Sequence, residues 1–228
     1  MIRDSLPLYQ IPKTNDLSVD SNYEIDLILS FVDKNISGFP GYYQSIKDSE
    51  KENRISDNLV QHFELCKNES ESYFPFRFSK NPTQPVSDKE TDIGVFVMAR
   101  TKKPITLIEF EAKRLSETSN NKEYVCGIRG GIERFKRGHH SSHLKVSGMF
   151  GYVQSRTSVE WIEKINNWIL ELSQNNSDST IDWTNKKELL SKIESFPCTE
   201  KLSSVHQRTP QKESIALWHY LIDLVSKN

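Results

Sequence analysis

The sequence predicts a single α/β domain in which a central mixed β-sheet is flanked by helices. Residues 91–99 and 104–113 alternate with the two-residue period of a strand and are the clearest strands in the chain. Both are apolar on each of their faces over much of their length, so a sheet built from them needs cover on both sides. Residues 158–172 set Trp161, Ile162, Ile165, Trp168 and Ile169 on one helical stripe, which supplies part of that cover.

Taken in order, residues 1–20 read as a polar lead-in, with Pro7, Pro12, Asn15 and Asp16 and no charged-then-apolar signal pattern. Ile25, Ile28, Leu29 and Val32 recur at helical spacing over 22–33, and Gly38, Pro40 and Gly41 then break the chain. A second helix is expected over 49–66, with Ile55, Leu59, Phe63 and Leu65 on its apolar face and Ser49 and Glu52 spaced as a capping box. Tyr73, Phe74, Phe76 and Phe78 suggest a strand that Pro75 confines to a sheet edge. Residues 81–88 form a loop. Residues 121–137 read as a helix interrupted by Gly127, Gly130 and Gly131, 146–154 as a strand and 186–193 as a short helix. The stretches 201–208 and 214–224 suit a hairpin around Pro210, which is favoured over a final helix. One domain spans 21–228, with its core over about 49–155 and further helices and the hairpin over 156–228.

Composition narrows the function without naming it. The 228 residues carry 30 Lys+Arg against 31 Asp+Glu, so no global basic charge advertises nucleic acid. The charge is nevertheless uneven: Lys122, Arg129, Arg134, Lys136, Arg137 and Lys145 cluster in one stretch with His139, His140 and His143. No apolar run approaches the roughly 20 residues of a membrane span. Three dispersed cysteines, Cys66, Cys126 and Cys198, give neither a disulfide framework nor a CxxC metal pair, and suit a reducing cytoplasm.

The chemistry concentrates on the strand pair. If residues 100–103 form its turn, Ala99 faces Pro104 and Asp92 faces Glu111, with Cβ atoms about 4.5–5.5 Å apart. One face is then apolar (Ile93, Val95, Val97, Ile108, Phe110, Ala112). The other is apolar near the turn (Phe96, Met98, Ile105, Leu107) and acidic beyond it (Asp92, Glu109, Glu111), ending in Lys113. Carboxylates crowded at the end of covered strands repel one another and lose solvation, a cost that a cation removes. Mg²⁺ suits such a pair because it takes few carboxylate oxygens and keeps several waters. Lys113, two residues beyond Glu111 on the same face, can steady charge developing on a phosphate.

Asp92 in Thr91-Asp92-Ile93-Gly94, together with Glu111-Ala112-Lys113, resembles the PD-(D/E)xK nuclease superfamily over roughly residues 49–154. Thr91 stands where the motif's name has proline. The resemblance implies a restriction-endonuclease-like fold and a Mg²⁺- or Mn²⁺-dependent phosphodiesterase, an endonuclease acting on DNA, with roles such as restriction, antiviral defence or DNA repair. It makes Asp92 and Glu111 the metal ligands and Lys113 the catalytic lysine. Glu52 becomes the auxiliary acid on the preceding helix, with Glu64 a rival on another face. It also sets Arg129, Arg134, Lys136 and Arg137, on the following helix, against nucleic acid, and lets Gln154 reach the site. A homodimer or a defence-complex subunit is compatible with one site per chain; no membrane partner is expected.

Plainer readings stand beside these. Asp92, Glu111 and Lys113 can be a structural ion pair, and Glu109 either a ligand or a solvated edge residue. His139 and His143, spaced i, i+4, raise a zinc site that lacks an HExxH glutamate. Trp161 and Trp168 read as core. Ser204, His206, Arg208 and His219 read as a satisfied polar sheet face. The functional alternative is a catalytically silent module of the same fold that binds nucleic acid or a partner protein.

Overall fold

The computed structural model describes residues 21–46, 49–83, 90–97, 104–119, 121–127, 130–175, 178–183, 186–209 and 213–225. The lead-in over 1–20, the turn over 100–103 and Arg129 lie outside them. Helices α1 (Ser21–Asn35), α2 (Phe39–Ile46) and α3 (Glu52–Glu69) precede the strands β1 (Phe76–Lys80), β2 (Ile93–Val97) and β3 (Ile105–Leu115). A 3₁₀ turn and the short helix α4 (Gly131–Lys136) lead to β4 (Val146–Val153). Helix α5 (Ser158–Asn175), a second 3₁₀ turn (Lys186–Glu188) and β5 (Ser191–Phe196), β6 (Thr199–Gln207) and β7 (Ser214–Asp223) complete the chain.

The strands form one mixed seven-stranded sheet in the order β1-β2-β3-β4-β7-β6-β5. Its two central joins, β3 to β4 and β4 to β7, are parallel, and the outer ones are antiparallel. Helices cover both faces, as the two-sided apolarity of β3 requires. On one side Ile28 and Phe31 of α1, Phe39 of α2 and Ile55, Leu59 and Phe63 of α3 pack against Ile108, Phe110, Ala112 and Phe150. On the other, Ile132 and Phe135 of α4 and Trp161, Ile165 and Ile169 of α5 pack against Leu115, Met149, Leu202 and Leu221. β6 and β7 form the expected hairpin, and β1 is the expected edge strand.

Four expectations are corrected. The β2–β3 pairing holds at Ile93↔Phe110, Gly94↔Glu109 and Val95↔Ile108, then slips so that Phe96 faces Thr106 and Val97 faces Ile105. The extra residue of this bulge, Leu107, stands next to Ile108, and two adjacent apolar residues do not mark which of them is the extra one; past it Val97 and Ile105 share a face, not opposite ones. The described part of 121–137 holds two helical pieces, and Gly127 between them adopts φ +111°, a backbone conformation no helix contains. A Cβ at Gly130 would meet the Cys126 carbonyl carbon at 2.4 Å, which keeps that turn to glycine. Residues 186–193 are a single 3₁₀ turn running into strand β5, because the Asn166 side chain of α5 takes both backbone groups of Leu190, at 2.8 and 3.2 Å. Finally, α3 has no capping box. Its N-cap is Lys51, without a side-chain cap, and Glu52 is used elsewhere.

Candidate active site

Alternation along β3 sends Ile108, Phe110 and Ala112 into the α1–α3 core and turns Glu109, Glu111 and Lys113 to the opposite side. Extending the Ile93↔Phe110 pairing by one residue sets Asp92 beside Glu111. The Ala112 N–H fixes Asp92 there, donating to its Oδ2 at 2.7 Å. Lys113 Nζ donates to Glu111 Oε1 at 2.9 Å and lies 3.6 Å from Glu52 Oε1. Glu52 approaches from the first turn of α3, and the Arg114 N–H donates to its Oε2 at 2.9 Å. The structure therefore brings Asp92, Glu111, Lys113 and Glu52 to one place. The rival acid Glu64 instead pairs with Lys67 and receives the Phe78 N–H.

The charges of the cluster follow from its burial. Glu111 is 2% exposed, and burial alone would raise its pKa; Lys113, His140 and Arg134 outweigh that and hold it below the usual carboxylate range. Burial likewise opposes the Lys113 charge, but Glu111, Glu52 and Asp92 overcome it and lift the ammonium above its ordinary pKa. Lys113 is thus a fixed positive charge and not a base. Asp92 goes the other way. Burial first, and then the Glu111 charge, push it up to about 7 against the pull of Lys113 and the Ala112 N–H. Glu111 is neutralised, while the pull of Lys113 on Asp92 is outweighed by burial and by Glu111.

That asymmetry is the test of fit for a cation. Asp92 and Glu111 offer two adjacent carboxylates, and Mg²⁺ or Mn²⁺ is held by few such oxygens with water completing the shell. Among the described residues no larger group, of three or more His, Cys, Asp or Glu, is arranged to hold a metal ion. Asp92 and Glu111 are the residues that could hold such an ion, with Glu111 also engaged by Lys113, Arg134 and His140. His139 and His143 lie in the loop beyond α4, which ends at Lys136, as the surrounding Gly138 and serines favour, so their i, i+4 spacing makes no helical zinc pair.

The basic residues divide sharply. Arg134 reaches the cluster, its Nη1 donating to Glu111 Oε1 at 3.1 Å. Lys136 does not fit the expected contact with nucleic acid: it is fully buried, paired with Glu188 and stacked 4.6 Å from the centroid of the Trp183 ring. Arg137 is held by Glu133 at 2.7 Å and by Asp178. Two residues enter the site from the loop after α4, His140, which the sequence flagged without a role, and Ser141, which it did not flag. His140, fully buried, places Nε2 3.5 Å from Glu111 Oε2, and Ser141 Oγ donates to Glu109 Oε2 at 2.7 Å. Glu109 is consequently buried rather than solvated. Gln154 reaches only the flank, accepting from Arg114 Nε at 2.7 Å and donating to the Glu50 carbonyl at 3.2 Å.

Searches against protein-family models, curated proteins and solved structures found no match to this chain. The reading of the site accordingly rests on its own geometry and on the motif.

A second polar centre lies deeper on the same side of the sheet. Ser204 Oγ sits 2.7 Å from His206 Nε2 and 2.8 Å from His219 Nε2, while Tyr124 Oη lies 3.0 Å from His219 Nδ1. His206 Nδ1 approaches Glu188, the partner of Lys136, at 3.9 Å. Burial lowers the pKa of both histidines, so they stay neutral. The polar sheet face expected of Ser204, His206 and His219 is therefore an enclosed network. Arg208 joins the same region by donating to the Ser141 and Leu144 carbonyls. Trp161 is core, as expected, and Trp168 packs against it half-buried.

Proposed function

We propose that this chain is a divalent-metal-dependent nuclease of restriction-endonuclease-like fold, hydrolysing phosphodiester bonds in DNA. The observation that carries the reading is the convergence of Glu52, Asp92, Glu111 and Lys113 from three separate elements. A structural ion pair needs one lysine and one carboxylate; here Glu52, Asp92 and Glu111 gather around Lys113 and Arg134, and burial and Glu111 outweigh the pull of Lys113 on Asp92. The arrangement of a helix bearing an acid, the strand pair, a following helix and the strand β4 supports the fold assignment in the way the motif implies.

In this reading Asp92 and Glu111 would hold Mg²⁺ or Mn²⁺, which when bound supplies Lewis-acid polarisation of a phosphate oxygen and a more acidic water. Lys113 keeps its proton and, anchored between Glu111 and Glu52, presents a fixed positive charge to the phosphate as negative charge grows there. Water adds to phosphorus and the bond to the leaving ester oxygen breaks. Glu52 positions Lys113 and, through the Arg114 N–H, ties α3 to the end of β3. Defence against foreign DNA, or DNA repair, is the setting that follows from the resemblance.

The test compares wild type with Lys113→Ala on plasmid, linear and single-stranded DNA and on RNA, with and without Mn²⁺. Metal-dependent cleavage lost in the variant, with an unchanged circular-dichroism spectrum, is the expected result; full cleavage by Lys113→Ala rejects the site. A second reading, a catalytically silent module binding nucleic acid or a partner protein, draws on Glu111 being already neutralised by Lys113 and Arg134. Metal binding without cleavage of any of these substrates favours it.

A further inference from the structure

We infer that Arg134 is a catalytic arginine that waits on Glu111 as a counter-cation and turns to the substrate phosphate when the metal site fills. The inference rests on the nuclease reading and assigns Arg134 a place at the reacting phosphate, not along the nucleic-acid backbone.

Three observations separate Arg134 from the other basic residues of its region. Its guanidinium contacts the same oxygen, Glu111 Oε1, that Lys113 holds, so two cations share one carboxylate oxygen. Among the described residues Glu111 is its one ion-pair partner, whereas Arg137 is tied to two acids and Lys136 is sealed against Glu188. Its side chain is 28% exposed, against 10% for Lys113, so it is not sealed into the cluster.

The consequence is chemical. A guanidinium has five N–H donors in a rigid plane, so one edge can face Glu111 while another meets a phosphate oxygen. A phosphate drawn to a cation on Asp92 and Glu111 lies within reach of a group already 3.1 Å from Glu111. Until then Arg134 competes with that cation for Glu111. The same residue should weaken metal binding and accelerate cleavage, whereas a merely structural salt bridge would weaken metal binding without accelerating cleavage. Helix α4 fixes it on its own backbone: the Arg134 N–H donates to the Gly130 carbonyl at 3.0 Å, and the Arg134 carbonyl accepts from His139 at 2.8 Å.

The experiment uses the full chain, Arg134→Ala and Arg134→Lys, with three measurements. Mn²⁺ affinity is read by calorimetry without DNA, duplex affinity in Ca²⁺, and single-turnover cleavage in Mn²⁺. Arg134→Ala is expected to bind Mn²⁺ about five- to tenfold more tightly, since a tenfold change corresponds to one competing charge contact of modest strength. It should cleave roughly 10²- to 10³-fold more slowly, the effect of losing one preorganised donor at a developing charge. Its duplex affinity should stay within about threefold of wild type. Arg134→Lys keeps the charge without the fork; wild-type Mn²⁺ affinity with slow cleavage in that variant supports the inference. Unchanged Mn²⁺ affinity in Arg134→Ala overturns the exchange, and duplex affinity falling in step with cleavage overturns the catalytic role in favour of a backbone clamp. If wild type binds Mn²⁺ yet cuts nothing, the nuclease reading and the catalytic role fall together, while a tighter Mn²⁺ affinity in Arg134→Ala still supports the counter-cation half.

Discussion

Two lysine–glutamate pairs are buried on the same side of the sheet, and their surroundings differ in every respect that matters. Lys136 and Glu188 are closed off together, at 0% and 1% exposure, under Trp183 and beside the neutral network of His206, Ser204 and His219. Lys113 and Glu111 are nearly as buried, but Glu52 and Arg134 beside them are about 30% exposed, and two further carboxylates crowd the lysine. The first pair balances its charge and excludes solvent. The second is over-supplied with acid and opens at one edge. Burial alone does not mark a functional site; burial with unbalanced charge and an opening does.

The sharpest way to break this contrast is to delete each lysine. Lys136→Ala leaves Glu188 buried without its cation and should cost about 3–5 kcal/mol of stability, read as a loss of urea midpoint at constant slope. Replacing both partners, as Lys136→Met with Glu188→Leu, should recover most of it, because the desolvation of two charges disappears with them. If Lys136→Ala melts like wild type, the closed pair contributes nothing and the comparison fails on that side.

Lys113→Ala should do the reverse. Glu111 keeps Arg134 and His140, so stability should change little, while metal-dependent cleavage should fall by about 10²- to 10³-fold or more. Thermal melts and plasmid cleavage on the same preparation separate the two effects. A variant that loses both together makes Lys113 another structural lysine.

The position of Lys113 beside Glu111 was legible in the sequence, and the burial of Lys136 was not. Lys113 was legible because strand alternation ties its direction to Glu111 two residues away, and the pairs Ile93↔Phe110 and Val95↔Ile108 next to Asp92 keep the expected register, whereas the turn-side pairs do not. The position of Glu52 was legible too, as an acid opening the helix before the strand pair, although the sequence equally suggested a cap. Lys136 was misread as a surface contact because its partner Glu188 is far along the chain and nothing local announces the pairing. Arg137 is taken by Asp178 in the same way. Strand β5 was hidden for a related reason: Asn166 of another helix draws Leu190 out of a pattern that also suits a helix. What local periodicity controls could be read; what distant charge partners control could not.

The last distinction concerns Asp92, where burial and Glu111 outweigh the pull of Lys113. Its folded pKa, pushed to about 7 by burial and by Glu111, lies above the ordinary value of 3.8. Between about pH 4 and 7 the unfolded chain has therefore lost a proton that the folded chain retains. Folding stability attributable to this group falls as pH rises through that window and is level above it. Asp92→Asn removes the ionisation but keeps an oxygen for the Ala112 N–H, so the variant should match wild type near pH 4. By pH 8, without divalent cation, it should become the more stable protein by on the order of 1–3 kcal/mol. Saturating Mn²⁺ should then close or invert the gap, since a ligand that binds only the folded state stabilises wild type and gains little from an amide. Melting curves at pH 4 and pH 8, with and without Mn²⁺, read all four corners. A gap that ignores both pH and Mn²⁺ would make Asp92 an ordinary carboxylate, and the open cluster would then be no different in kind from the closed pair at Lys136.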